Sequence, residues 1–252
     1  MFFPRVIPTL LLKDNALVKT KKFKNENYIG DPINAVKIFN EKEVDEIIFL
    51  DISATKNWQQ PNFEILEKIS SECFMPLAYG GGINKIEHVK KIFRIGVEKI
   101  IINSAAVDNY DFLREIIDFV GSQSVIISID VKKTIFNKYK VYSHLLGKNI
   151  KTELLDLLEI LNDIEVGEIF INSVDRDGMM NGYDIELLSL VSSNIDMPLV
   201  ACGGAGNVDH LKQGLKLGGA HAVSAGSLFV YHGKHNAVLI NYLDKQQLDG
   251  FK

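Results

Sequence analysis

The chain has 252 residues, 46% of them hydrophobic and 24% charged, a balance that suits one large α/β domain or two ordinary ones and argues against disorder. Its 28 Lys and Arg against 32 Asp and Glu leave a net charge of −4, so no global field draws it toward nucleic acid. Two cysteines, Cys73 and Cys202, exclude a disulfide framework and fit a reducing cytoplasm. The opening Met1-Phe2-Phe3-Pro4-Arg5 does not read as a signal peptide, and no apolar run is long enough to span a bilayer. Neither a membrane nor a nucleic acid is therefore an expected partner.

In chain order, eight short runs rich in Ile, Val, Leu and Phe read as strands, each leading to a segment with helical spacing of apolar residues. Strand 5–12 precedes helix 32–41, 46–52 precedes 61–72, 76–79 precedes 84–95, and 98–103 precedes 109–119. Strand 124–131 then leads to helix 152–164, 168–174 to 184–193, 198–202 to 207–217, and 220–225 to 235–244. Near-continuous apolar strands belong in a parallel sheet buried on both faces, with a helix at each crossover. Eight such units in about 250 residues predict an α/β fold, a single closed (β/α)8 TIM barrel. No linker divides the chain, so residues 1–252 are expected to form one domain.

The chain also repeats itself. A shift of 122 residues lays Val44, Glu46 and Ile47 on Val166, Glu168 and Ile169, Pro76, Leu77, Gly81 and Gly82 on Pro198, Leu199, Gly203 and Gly204, and Gly96 on Gly218. A shift of 119 lays Lys13 on Lys132. Two half-barrels, roughly 1–122 and 123–245, with two similar sites on one rim, are the preferred reading; chance likeness among βα units is the other.

In this fold the chemistry sits at the C-terminal strand ends. The third strand ends in Tyr79-Gly80-Gly81-Gly82-Ile83-Asn84 and the seventh in Cys202-Gly203-Gly204-Ala205-Gly206-Asn207. Glycines let the backbone approach an anion, and the next helix presents unpaired N–H groups. Asn103-Ser104-Ala105 and Ala225-Gly226-Ser227 supply donors beside them. Two phosphate cups follow, and the expected ligand is long and phosphorylated at both ends.

Acid–base candidates are Asp51, Asp130, Asp175 and Asp177. Asp130 follows apolar strand residues, where burial would raise its pKa; an N-cap or a salt bridge to Lys132 or Lys133 is the alternative. Asp175-Arg176-Asp177-Gly178 reads either as site or as a self-paired turn. The loop holding Lys13, Lys19, Lys21, Lys22 and Lys24 before Gly30 reads as a mobile lid over an anionic substrate or as a solvated basic loop. Lys56 and Trp58 are candidates to cover the rim or to anchor an exposed loop. Cys202 reads as a small buried residue, and His210 and His221 as packing or surface residues. No spacing argues for a metal, and no cofactor is expected.

Taken together, Arg5-Val6-Ile7-Pro8, Phe49-Leu50-Asp51-Ile52, Tyr79-Gly80-Gly81-Gly82-Ile83, Ser128-Ile129-Asp130, Ser173-Val174-Asp175-Arg176-Asp177-Gly178 and Gly203-Gly204-Ala205-Gly206 resemble the cyclase subunit of imidazole glycerol phosphate synthase. That family shares its barrel with the phosphoribosyl-formimino isomerase of histidine biosynthesis. The resemblance implies a lyase subunit that receives ammonia from a glutaminase docked under the N-terminal face. At the top face it would cleave and cyclise a bis-phosphorylated substrate, with Asp130 catalytic and Asp51, Lys19 and Asp177 in support. Its phosphate groups would sit on Gly81, Gly82, Asn103, Ser104, Gly178, Gly203, Gly204, Gly226 and Ser227. Arg5, Glu46, Lys99 and Glu168 match the family's ring of alternating charges that gates ammonia; without the resemblance they read as a solvated barrel floor.

One position departs. The family sets a second aspartate in the first strand, facing that of the fifth, and here Leu11 stands there. Leucine neither donates nor accepts a proton, so cyclisation is expected to be severely impaired. Leu11, with Phe74-Met75-Pro76-Leu77-Ala78-Tyr79 and Gly226-Ser227-Leu228-Phe229-Val230-Tyr231-His232-Gly233-Lys234, is similar to the paralogue branch of surface-polysaccharide clusters. There the resemblance implies relay of ammonia toward acetamidino-sugar formation, with a sugar amidotransferase as a further partner. A genuine histidine-pathway cyclase and a non-catalytic activator of the glutaminase are the competing readings.

Overall fold

A computed structural model describes residues 4–54, 59–104 and 109–251; Lys56, Trp58 and Ala105 lie outside them. The chain enters through β1 (Arg5–Lys13), which runs on into a hairpin of β2 (Ala16–Lys21) and β3 (Lys24–Gly30) before α1 (Pro32–Glu41). Next come β4 (Ile47–Asp51) with α2 (Phe63–Glu72), β5 (Leu77–Gly80) with α3 (Ile86–Ile95), and β6 (Lys99–Ile102) with α4 (Tyr110–Val120). β7 (Val125–Lys133) likewise continues into β8 (Tyr139–Ser143) and β9 (Lys148–Asn149) before α5 (Leu154–Ile164). The remaining units are β10 (Glu168–Ser173) with α6 (Ile185–Ser192), β11 (Leu199–Cys202) with α7 (Val208–Lys216), and β12 (Ala222–Ala225). A short α8 (Ser227–Val230), a hairpin of β13 (Tyr231–His232) and β14 (Ala237–Val238), and α9 (Lys245–Asp249) complete the described chain.

Eight strands pair in parallel in the order β10, β11, β12, β1, β4, β5, β6, β7, and β7 pairs back to β10. The sheet is closed, and the fold is the expected (β/α)8 TIM barrel. Closure removes both sheet edges, so every central strand finds hydrogen-bond partners on both sides. Alternate residues point inward: Ile7, Ile48, Ala78, Ile101, Ile126, Phe170, Val200 and Ala222 fill the barrel. The other set, including Val6, Leu10, Phe49 and Ile127, packs under the helices in one larger core. Asp31, Asn62, Asn109, Asp184 and Asn207 each accept a backbone N–H three residues on, which starts five of the crossover helices where their apolar stripes begin.

Two expectations are corrected. Segment 235–244 is not a helix: Gly233 (φ 69°) and Asn236 (φ 51°) turn the chain into the β13–β14 hairpin. Backbone N–H groups of Leu239 and Asn241 then donate to Val230 and Phe229. Helix resumes only at α9, where Asp244 and Gln247 form a capping box. The basic segment after the first strand is not an irregular loop but a hairpin, in which β2 pairs with β1 and β3. No helix among the described residues is long and apolar enough to cross a membrane.

Phe170 is fully buried at the centre of the barrel interior. Phe170→Ala is expected to lower the unfolding free energy by about 3–5 kcal/mol, read as a lower urea midpoint.

Candidate functional site

At the floor of the barrel the four predicted charges meet. Arg5 opens β1, Lys99 opens β6, Glu168 opens β10, and Glu46 immediately precedes β4. Arg5 pairs with Glu46 and, at 2.8 Å, with Glu168. Lys99 pairs with Glu46 at 3.1 Å and with Glu168 at 2.7 Å. Each charge thus touches two of opposite sign, and the ring closes. Burial works against the charges of Arg5 and Glu168, yet the pairing wins: Arg5 is held above its ordinary pKa by Glu168 and Glu46, and Glu168 below its own by Arg5 and Lys99. Above the ring lies the packed apolar layer of Ile7, Ile48, Ile101 and Phe170.

At the other end, the C-terminal strand ends enclose a cavity of about 360 Å³. Gly81, Gly82, Asn103 and Ser104 line one side, and Gly178, Gly203, Gly204, Gly226 and Ser227 another. Asp51, Asp130, Asp177, Lys19 and Leu11 line it as well. Glycine is required at both turns. Gly81 has φ 123° and its backbone lies against the Asp51 carbonyl, while Gly204 has φ 116° and lies against that of Gly182. A side chain at either would be strained and would collide with backbone. The following helices begin only at Ile86 and Val208, so the N–H groups nearest the glycines belong to the turns.

Asp130 points into the cavity from β7. Burial pushes its carboxyl up to about 7; Asn172 and Asn103 oppose the rise, and Asp177 adds to it. Asn172 Nδ2 donates to one carboxylate oxygen and Asn103 Nδ2 to the other, both at 3.2 Å. Neither an N-cap nor a salt bridge to Lys132 or Lys133 explains Asp130. Asn103 also donates to the Ser128 carbonyl at 3.0 Å, which turns its side chain toward Asp130. Leu11 sits on β1 with the same inward alternation as Thr9 and Ile7, beside Leu50 of β4 and Val18 of β2. The cavity wall at Leu11 is apolar.

Lys19 is buried, and its ammonium donates to the Thr9 carbonyl at 2.7 Å. Burial lowers its pKa to about 8, against the attraction of Asp177. Asp177 accepts from the Thr20 hydroxyl at 2.8 Å and the Phe23 N–H at 3.2 Å, and its carbonyl from Lys22. It therefore ties the β2–β3 hairpin over the cavity. Asp175 accepts the Lys133 N–H, and Arg176 donates to the Asn181 carbonyl, so the turn is not self-paired. Asp51 lines the cavity and caps its own turn through one carboxylate oxygen, which accepts from Ser53 and Ala54. Burial and Asp177 push the Cys202 thiol up to about 12, leaving it un-ionised. His210 accepts the Gly206 N–H and His221 that of Leu199. Sequence reasoning missed Asn172; its inward alternation with Glu168 and Phe170 was the available signal.

Residues 5–236 match the family described as histidine biosynthesis protein. The chain belongs to this family. Among its relatives, a Pseudomonas aeruginosa protein provisionally described as imidazole glycerol phosphate synthase subunit hisF2 is 51% identical over 245 residues, 97% of this chain and 98% of the relative. A Leptospira interrogans protein, provisionally described as subunit HisF, is 47% identical over 247 residues, 98% of this chain and 97% of its own. Imidazole glycerol phosphate synthase subunit HisF of Chlorobium phaeovibrioides is 37% identical over 229 residues, 91% of each chain. The family's likeness thus runs from floor to rim.

Because folding raises the Asp130 pKa, its contribution to stability is complete below the unfolded value near 4 and is lost as pH rises toward about 7. Urea unfolding should show wild-type stability falling relative to Asp130→Asn across that window, by up to about 1.4 kcal/mol per pH unit. Parallel pH profiles for the two proteins would contradict the assignment.

Proposed function

We propose that this chain is a cyclase-type barrel subunit of imidazole glycerol phosphate synthase kind that receives ammonia from a glutaminase docked on the N-terminal face. The ammonia supports acetamidino-sugar formation for surface polysaccharide, by way of a sugar amidotransferase. The observation that carries the relay is the closed ring of Arg5, Glu46, Lys99 and Glu168 under an apolar barrel interior. Neutral ammonia can cross such a layer once the ring parts, whereas ammonium meets a desolvation barrier. Phe74, Phe119 and Leu217, all exposed near the N-terminal strand ends, suit a protein partner on that face.

At the rim, the glycine turns and Gly226-Ser227 would hold the two phosphates of a bis-phosphorylated ligand, with Asn103 and Ser104 at one end and Gly178 at the other. Lys19 contributes positive charge beside Gly226, against which its ammonium lies. Asp130, with a pKa near neutrality, can supply or take a proton. Leu11 on the opposite strand cannot, so one of the two facing carboxylates that the family resemblance assigns to the reaction is missing. A genuine cyclase making imidazole glycerol phosphate and AICAR is the second reading, favoured by the retained Asp130 and both glycine turns.

With the histidine-pathway substrate and ammonium salt, the purified chain is expected to turn over about 10²–10⁴-fold more slowly than a subunit with both carboxylates, and Leu11→Asp to recover part of the loss. Near-normal wild-type turnover would establish the second reading. For the relay, Lys99→Met in the complex is expected to lose glutamine-dependent product while glutaminase activity persists. Unchanged product formation would leave only a partner-activating role.

A further inference from the structure

The β7–β8–β9 meander carries a concentration of charge that the whole-chain balance hides. Residues 131–152 contain six lysines and no aspartate or glutamate, so the rest of the chain has ten more acidic than basic residues. The turn between β7 and β8 is well made: Thr134 N–H donates to the Lys138 carbonyl at 2.8 Å, Asn137 N–H to that of Thr134 at 3.0 Å, and Asn137 takes φ 58°. That turn holds Ile135 and Phe136 at its tip, 92% and 80% exposed. Bulky adjacent apolar side chains so fully hydrated on an ordered turn stand out from scattered surface leucines.

Charge surrounds this prong in two ways. Lys133 and Lys140 are spent on the scaffold, pairing with Glu186 and Glu153, and they brace the two rungs next to the turn. Lys138, Lys148 and Lys151 are exposed. The neighbouring β2–β3 hairpin is joined to the meander through Phe23, whose ring meets His144 at 5.5 Å and Tyr142 at 6.2 Å. That contact brings exposed Lys21, Lys22 and Lys24 alongside.

We propose that the β7–β8 hairpin is a peripheral anchor for an anionic lipid bilayer, with Ile135 and Phe136 entering the interface and the surrounding lysines engaging headgroups. A bilayer accommodates both halves of this surface, apolar side chains at the acyl boundary and cations at the headgroup level. A nucleic acid would use the lysines but has no stacking role for an isoleucine at the tip. A two-residue prong also offers far less area than the roughly 800 Å² per partner of a standard protein interface. The absence of a spanning helix does not bear on such an anchor, since surface association needs none. The inference is independent of the proposed relay.

Sedimentation of the full chain with vesicles tests it. Binding is expected to vesicles of phosphatidylcholine mixed with phosphatidylglycerol, not to phosphatidylcholine alone, and to be released by high salt. Replacing both tip residues, Ile135→Ser with Phe136→Ser, should weaken it about tenfold, and Lys138→Gln with Lys148→Gln about fivefold for each lysine removed. All four side chains are surface groups, and unchanged thermal unfolding of the variants would exclude misfolding. Failure to sediment with anionic vesicles would overturn the anchor. So would a tip variant that binds like wild type, or equal, tip-independent binding to RNA or heparin, which would reassign the lysines to a soluble polyanion.

Discussion

Closure of the sheet by pairing β7 to β10 is the constraint from which the rest follows. Once closed, the barrel has no edge, and its backbone polar groups are consumed within the ladder. Inward side chains then stack in layers, and each layer has to be apolar or internally satisfied. The middle layer takes the first solution with Ile7, Ile48 and Phe170, and the floor takes the second with two cations and two anions in a ring. At the rim the layer opens to solvent, and there the polar groups of chemical interest collect.

The rim is polarised by the same geometry. Asp130 and Leu11 occupy matching inward positions on β7 and β1, but only Asp130 is supported, by Asn103 from β6 and Asn172 from β10. Two amide donors stabilise its carboxylate, yet burial still carries its pKa toward neutrality. Lys19 arrives from the β2–β3 hairpin, which Asp177 holds in place. The result is a cavity with a supported carboxylate on the β7 wall, an apolar side chain at the matching position of β1, Lys19 beside Thr9, and glycine turns at its flanks. This asymmetry is what separates the site from one built on two facing carboxylates.

Much of this was legible beforehand because it depends on local pattern. Apolar runs at regular spacing located the eight barrel strands, and most crossover helices lie within a few residues of their expected limits. The floor residues were visible as charges at strand starts, and the glycine pairs as repeated turns. The segment 235–244 was misread because apolar residues alone do not distinguish a helix from a hairpin placed by Gly233 and Asn236. The turn-capping role of Asp51 was not legible, because a carboxylate at a strand end serves equally in a site or as a cap, and its Ser53 and Ala54 bonds are decided by backbone geometry.

The sequence by itself determined the barrel class, the family resemblance and the missing acid at Leu11, since each rests on periodicity or on the identity of a residue at one position. Only the tertiary structure decided which charges meet, what Asp130 and Lys19 experience, and that Asp177 is a hairpin tie. Those properties depend on distance and burial between residues far apart in the chain, and a linear pattern carries neither. The opening charge of −4 is the clearest case. Its average conceals a neutral ring at the floor and a basic meander at the rim, because folding sorts charges by strand end and not by sequence.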